Sequence, residues 1–189
     1  MNHRFSLLAS LLLSFLTRQS FGQVCPLPRS PHDLGIDSSS ELPRALHTTF
    51  RTSLAQIVGT YQLRVAAEHR ADTVLGQMSL RKAPSVMYRF QVPYQGTSDI
   101  DLTKVGPVSL GYSPARDDSL WPGVQFRYER TPGRASLVFG GAFSPQGAIM
   151  DAGVTFYLSE VDTLGMRGWW ENGGRELPHA WGYFCARKL

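Results

Sequence analysis

Few residues in this chain are spaced to do chemistry. His32, His47, His69 and His179 are isolated and fall in the lead-in, helix or turns; a solvated or capping role outweighs catalysis for a His with no paired carboxylate. Asp99 and Asp101 share a parity and could gather round a cation with Asp117 or Asp118. Carboxylates on irregular chain more often stand solvated. No nucleophile elbow, zinc-binding His pair, phosphate loop or dinucleotide fingerprint occurs. The sequence therefore assigns no catalytic residue, no metal ligand and no cofactor, and it leans away from an enzyme. A barrel cyclase or isomerase would need a pocket carboxylate or His of perturbed pKa.

Cys25 and Cys185 are the only cysteines. In an oxidising compartment they most simply form one disulfide, and two free or intermolecular thiols are the alternative. Closing so long a loop would contribute at most about 5 kcal/mol by chain entropy, less where the native geometry is strained. Two cysteines alone do not make the usual structural zinc site.

Apolar recognition is better provided for, with ten Phe, seven Tyr and four Trp. Tyr61, Leu63, Val65, Phe126, Tyr128, Phe156 and Trp170 are the candidate ligand-binding set, joined on the same inward parities by Leu158 and Met166. These side chains either fill a core or line a pocket. Trp169 has the opposite parity and is expected as an exposed aromatic on a partner surface.

The elements that would position them are strands. From Thr60 to Val65 polar and apolar residues alternate behind Gly59, the pattern of a half-buried antiparallel strand. Further strands are predicted at 73–81, 85–92, 124–129, 135–139, 154–159, 164–170 and 181–188, with turns at Pro132-Gly133 and Asn172-Gly173-Gly174. Residues 94–122 are broken by Gly and Pro, with short strands expected at 100–105 and 108–112; such a stretch suits a contact loop. An amphipathic helix is expected over about 41–55, from Leu42, Ala45, Leu46, Phe50 and Leu54 at three- and four-residue spacing.

Residues 1–22 read as a signal peptide: Arg4, a Leu- and Phe-rich run to Leu16, and Ser20-Phe21-Gly22 before Gln23. An N-terminal anchor helix is the alternative, and the run is short for a membrane span. Residues 23–40 form an extended, Pro-rich lead-in, and 41–189 a single domain. The whole chain carries a net charge of +4. Losing Arg4 and Arg18 with the leader leaves +2, and the remaining Lys and Arg are scattered, so nucleic acid is a weak candidate. The expected place is secreted or periplasmic, with no integral membrane span after cleavage.

These elements predict an all-β domain: about eight antiparallel strands in an up-and-down barrel, with one short N-terminal helix. A β-sandwich is the alternative. With an even strand count the last strand lies antiparallel to the first, bringing Arg187 near Tyr61 and Cys185 toward the lead-in.

Here the chain resembles the calycin group, the lipocalins and avidin-like barrels. Those begin their first strand with Gly-x-Trp and carry a late Arg over the Trp ring. Gly59-Thr60-Tyr61 stands in the first position, with Tyr for Trp, and Arg187 in the second. Gly182 to Arg187 is similar to the end of an avidin-like chain. The resemblance would cover about 41–189, and it implies a structural role for Gly59 and Arg187 and a small apolar or amphipathic ligand. The departure at Tyr61 puts the tight ring-on-guanidinium plug in doubt. An exported ligand-binding barrel is thus one expectation. A structural or protein-interaction module of the cell envelope, with a filled barrel and an unidentified protein partner, is the other.

Overall fold

The computed structural model describes residues 25–34, 47–68, 72–108, 113–118, 122–131, 133–140, 153–172 and 178–189. Its eight long strands are β2 (Gly59–Ala67), β3 (Thr73–Lys82), β4 (Tyr94–Ser98), β5 (Val124–Glu129), β6 (Arg134–Phe139), β7 (Val154–Val161), β8 (Gly165–Asn172) and β9 (Trp181–Lys188). A two-residue strand, β1 (Thr49–Phe50), lies parallel to β7. Each long strand pairs antiparallel with the next, and β9 returns to pair with β2, from Tyr61↔Lys188 to Ala67↔Gly182. The sheet closes on itself, so the eight strands expose no unpaired edge.

Closure follows from the alternation. Along β2, Tyr61, Leu63 and Val65 are buried while Thr60 is exposed and Gln62 and Arg64 are half-buried. The core takes inward side chains from all eight strands, among them Met78, Leu80, Phe126, Leu137, Phe139, Phe156, Trp170 and Phe184. No helix of the described residues is long and apolar enough to cross a membrane.

Three expectations change. Residues 85–92 form no strand: Ser85–Tyr88 is one helical turn, α1, within the β3–β4 connection. Ala83, Met87 and Val92 bury one another beside Phe90 there. Gln91 turns through φ 62, and Pro84 and Pro93 bracket a segment that leaves the ladder, since proline cannot donate to it. The strand that follows β3 is Tyr94–Ser98, inside the stretch read as irregular. Residues 100–105 likewise form no strand but a 3-10 turn, Leu102–Lys104, capped by the Asp101 carboxylate accepting from the Thr103 amide. Of the strand expected at 108–112, residues 109–112 lie outside the described residues.

Of the helix expected at 41–55, residues 41–46 also lie outside the described residues. From Thr48 the chain is extended: the Thr48 hydroxyl donates to the Leu158 carbonyl (2.8 Å) and accepts from the Ala135 amide (2.7 Å). A β-branched residue bridging two strands in this way favours extended backbone over helix. Helical structure near here is the 3-10 turn Leu54–Ile57. The leader expected at 1–22 lies outside the described residues.

Candidate functional site

Both mouths of the barrel are plugged. At the end where β2 begins, Phe50, Leu54 and Ile57 join the core, and Phe50 meets Tyr128 edge-on at 5.3 Å. At the other end Ile100, Leu102 and Val105, from the stretch expected as a contact loop, turn into the opening. Asn172 closes this end: its amide donates to the Pro107 and Pro178 carbonyls, and its oxygen accepts from the Ala180 amide.

Between the plugs, the seven candidate ligand-binding residues meet in one core. Tyr61, Leu63, Val65, Phe126, Phe156 and Trp170 are buried in it, and Tyr128 packs against it half-buried. Phe156 sits among Phe139 at 4.5 Å, Phe184 at 4.7 Å and Trp170 at 6.5 Å. A cavity large enough for water would leave accessible area on its walls. Leu63, Val65, Val124, Phe126, Leu137, Phe139, Phe156 and Phe184 each show 0 %. The interior is filled with side chains, one of the two states open to a barrel of eight strands.

Its polar atoms bond to the protein's own backbone. The Tyr61 hydroxyl donates to the Ile57 carbonyl (2.5 Å), and the Trp170 indole N–H to the Ala66 carbonyl (2.9 Å). Burial pushes the Tyr61 hydroxyl up to about 12, so it stays protonated at neutral pH.

At the strand start, Gly59 holds φ +150, a value side-chain-bearing residues rarely adopt, and a Cβ there would meet Lys188 Cε at 2.7 Å. Lys188 lies over the Tyr61 ring, with Nζ 6.0 Å from the centroid. Arg187, one residue earlier, pairs with Gln62 in register and is exposed. Strand parity decides this: Arg187 faces outward, whereas Lys188, at the barrel's end, reaches round to the Gln56 carbonyl.

The acidic residues singled out for a cation are engaged separately. Asp99 accepts from the Gln77 amide (2.5 Å), Asp101 caps its 3-10 turn, and Asp117 pairs with Arg81 at 2.5 Å. Hydrogen bonds from Thr103 and Arg81 hold the Asp101 and Asp117 carboxyls below their ordinary values. Among the described residues no three His, Cys, Asp or Glu side chains gather as a metal site. His179 lies 3.6 Å from Glu171 on the surface.

Trp169, expected exposed, is 2 % accessible. Its parity is outward, as the sequence implies, but the lead-in covers it. Cys25 is bonded to Cys185, with the two Cα atoms 6.0 Å apart. Residues 25–34 then run as a strap over the outer wall, setting Leu27 and Leu34 against Trp169, Tyr183 and Trp181. Trp169 stacks on Tyr157 at 4.4 Å, with ring planes 9° apart. The Tyr183 hydroxyl is pushed up to about 12, by burial first and then by the Glu68 and Asp33 carboxylates. Sequence reasoning missed this cluster, although one signal was present. Phe184 faces inward, so Cys185 must face outward, and its disulfide obliges the lead-in to cross that wall. Two open grooves flank the strap, of about 720 Å³ beside Leu164, Arg167 and Arg187 and about 850 Å³ beside Arg64, Glu68 and Tyr183.

The closed eight-stranded antiparallel barrel agrees with a lipocalin-like fold. No protein-family model, no curated protein and no solved structure matches the chain.

Proposed function

We propose that this chain is a non-catalytic interaction module of the cell envelope, an exported barrel that works through its outer surface. The observation behind this reading is the filled interior: of the side chains that would line a ligand cavity, Leu63, Val65, Phe126 and Phe156 show 0 % exposure, Trp170 1 % and Tyr61 2 %, and Tyr128 packs half-buried against them. The Cys25–Cys185 disulfide supports an oxidising, extracytoplasmic setting. The outward residues of β2 and β3 include Thr60, Gln62, Arg64, Gln77, Ser79 and Arg81. A membrane-spanning barrel presents apolar residues on that side instead. If the chain shares ancestry with lipocalins, its interior has been given over to packing.

A small-ligand carrier is the second reading. It retains one supporting observation, the groove of about 850 Å³ between the strap and β2.

Native mass spectrometry of the exported protein, purified from its host under mild conditions, tests the choice. The expected result is a mass equal to residues 23–189 less two hydrogens, with nothing released on unfolding. A stoichiometric small molecule released on unfolding would overturn the interaction reading in favour of a carrier.

A further inference from the structure

Six large apolar side chains are exposed among the described residues: Val58, Leu75, Val86, Tyr88, Leu164 and Leu189. Isolated exposed apolar residues are ordinary. Their distribution here is not, because five of the six lie at one end of the barrel. Only Leu75 lies elsewhere, on the outer face of β3.

The five form an arc over adjoining corners. Leu164 occupies the β7–β8 turn, where its carbonyl accepts from the Lys188 amide (2.7 Å). The Leu189 amide donates to the Thr60 carbonyl (2.9 Å), which sets the C-terminal leucine beside Val58 at the start of β2. Gly59 pairs with Leu80, and just beyond Leu80 the β3–β4 connection carries Val86 and Tyr88.

The same end is basic. Arg51, Lys82, Arg89, Arg130, Arg187 and Lys188 lie on it, all exposed except the half-buried Lys188. Its acids are fewer, Glu129, Glu160 and Asp162, and the last two are engaged. Glu160 is held between Arg51 (2.6 Å) and Arg167 (2.5 Å), and Asp162 accepts from the Leu164 and Gly165 amides. The opposite end carries Glu68, Asp72, Asp99 and Asp101, with Lys104 paired to Asp101 at 3.6 Å. The barrel is therefore charge-polarised along its axis.

We propose that the basic end is a docking face for an anionic phospholipid surface, with the five apolar side chains entering the headgroup boundary. Protruding apolar residues among cations suit a bilayer, where the apolar part enters the interface and the charges stay among the headgroups. A second copy on this face would set cation against cation, which costs affinity. Cys25 sits at this end, sharing a groove with Leu164 and Arg187. The inference deepens the reading above and rests on it in one respect, that contacts are made by the outside of the barrel.

Co-sedimentation of the exported protein with phosphatidylcholine vesicles, with and without phosphatidylglycerol, is the test. The protein should bind the anionic vesicles selectively and come off as salt shortens the screening length. Replacing Lys82→Gln together with Arg89→Gln should weaken binding about 25-fold, at about five-fold per charge. Leu164→Ser should weaken it several-fold, and Leu75→Ser should leave it unchanged. Unchanged melting temperatures would show that the variants fold. Absence of anionic selectivity would overturn the proposal, as would equal loss from Leu75→Ser and Leu164→Ser. So would self-association, or binding to an acidic protein, without vesicle binding. None of these outcomes bears on the filled interior, which the mass measurement decides separately.

Discussion

Trp169 and Trp170 are neighbours in sequence and almost equally buried, at 2 % and 1 % exposure, yet they are buried by different means. Trp170 points inward and is enclosed by the barrel, against Phe156 and with its indole N–H bonded to the Ala66 carbonyl. Trp169 points outward and is enclosed only because a disulfide returns the lead-in over it. One burial is a property of the closed sheet. The other depends on a tether that can be cut. The Trp169 indole nitrogen reflects this: it is buried with no hydrogen-bond partner among the described residues.

The comparison predicts unequal losses. Trp170→Ala should cost about 4 kcal/mol, because the rings around it belong to a sheet that cannot collapse into the space. For a domain of this size that lowers Tm by about 10 °C. Cys25→Ala with Cys185→Ala should cost about 3 kcal/mol. It should also raise hydrogen exchange in residues 25–34 well before the barrel amides respond. Trp169→Ala should cost least of the three, about 2 kcal/mol, since its cover is a strap that can settle. Added to the cysteine variant, Trp169→Ala should cost clearly less than it does alone, because the cover it packed against is already loosened. Full additivity in thermal melts would mean that the strap stays seated without its disulfide, and the distinction between the two tryptophans would fail.

The same pair marks the limit of what the sequence made legible. Parity placed both rings on the correct faces, and it placed the nine expected inward residues in or against one core. Period two is a local signal, and Val124–Glu129 in its sequence and Gly59–Ala67 in its burial express it cleanly. What covers an outward face is a long-range fact, so Trp169 could be oriented from sequence without its burial being foreseen. Segment 85–92 failed for another reason. Val86, Tyr88, Phe90 and Val92 alternate as a strand would, while Ala83, Met87 and Phe90 recur at helical spacing. In a run this short both periods fit, and tertiary packing chose the second. The plugs were harder to read because Leu54, Ile57 and Leu102 sit in 3-10 turns, which carry no distinctive period, and Ile100 in the irregular chain before one.

Tyrosine titration offers the finest test of the two burials. Tyr61 lies inside the barrel and Tyr183 beneath the strap, and both hydroxyls are pushed up to about 12 from an ordinary 10. A folded-state pKa above the unfolded one gives stability that is fully present below pH 10 and lost as pH rises through 12. Burial acts on both rings, but Tyr183 also feels the Glu68 and Asp33 carboxylates, and Asp33 belongs to the strap. Reducing the disulfide should therefore return Tyr183 toward 10, as water reaches the ring and Asp33 moves off, while Tyr61 stays near 12. Phenolate absorbance followed against pH, with Tyr61→Phe and Tyr183→Phe to assign the two steps, would read this in oxidised and reduced protein. If reduction shifts both tyrosines together, strap and barrel open as one cooperative unit, and the outer wall is part of the core in all but position. If Tyr183 moves alone, the outer wall is a separately releasable layer, held to a closed barrel by one covalent bond.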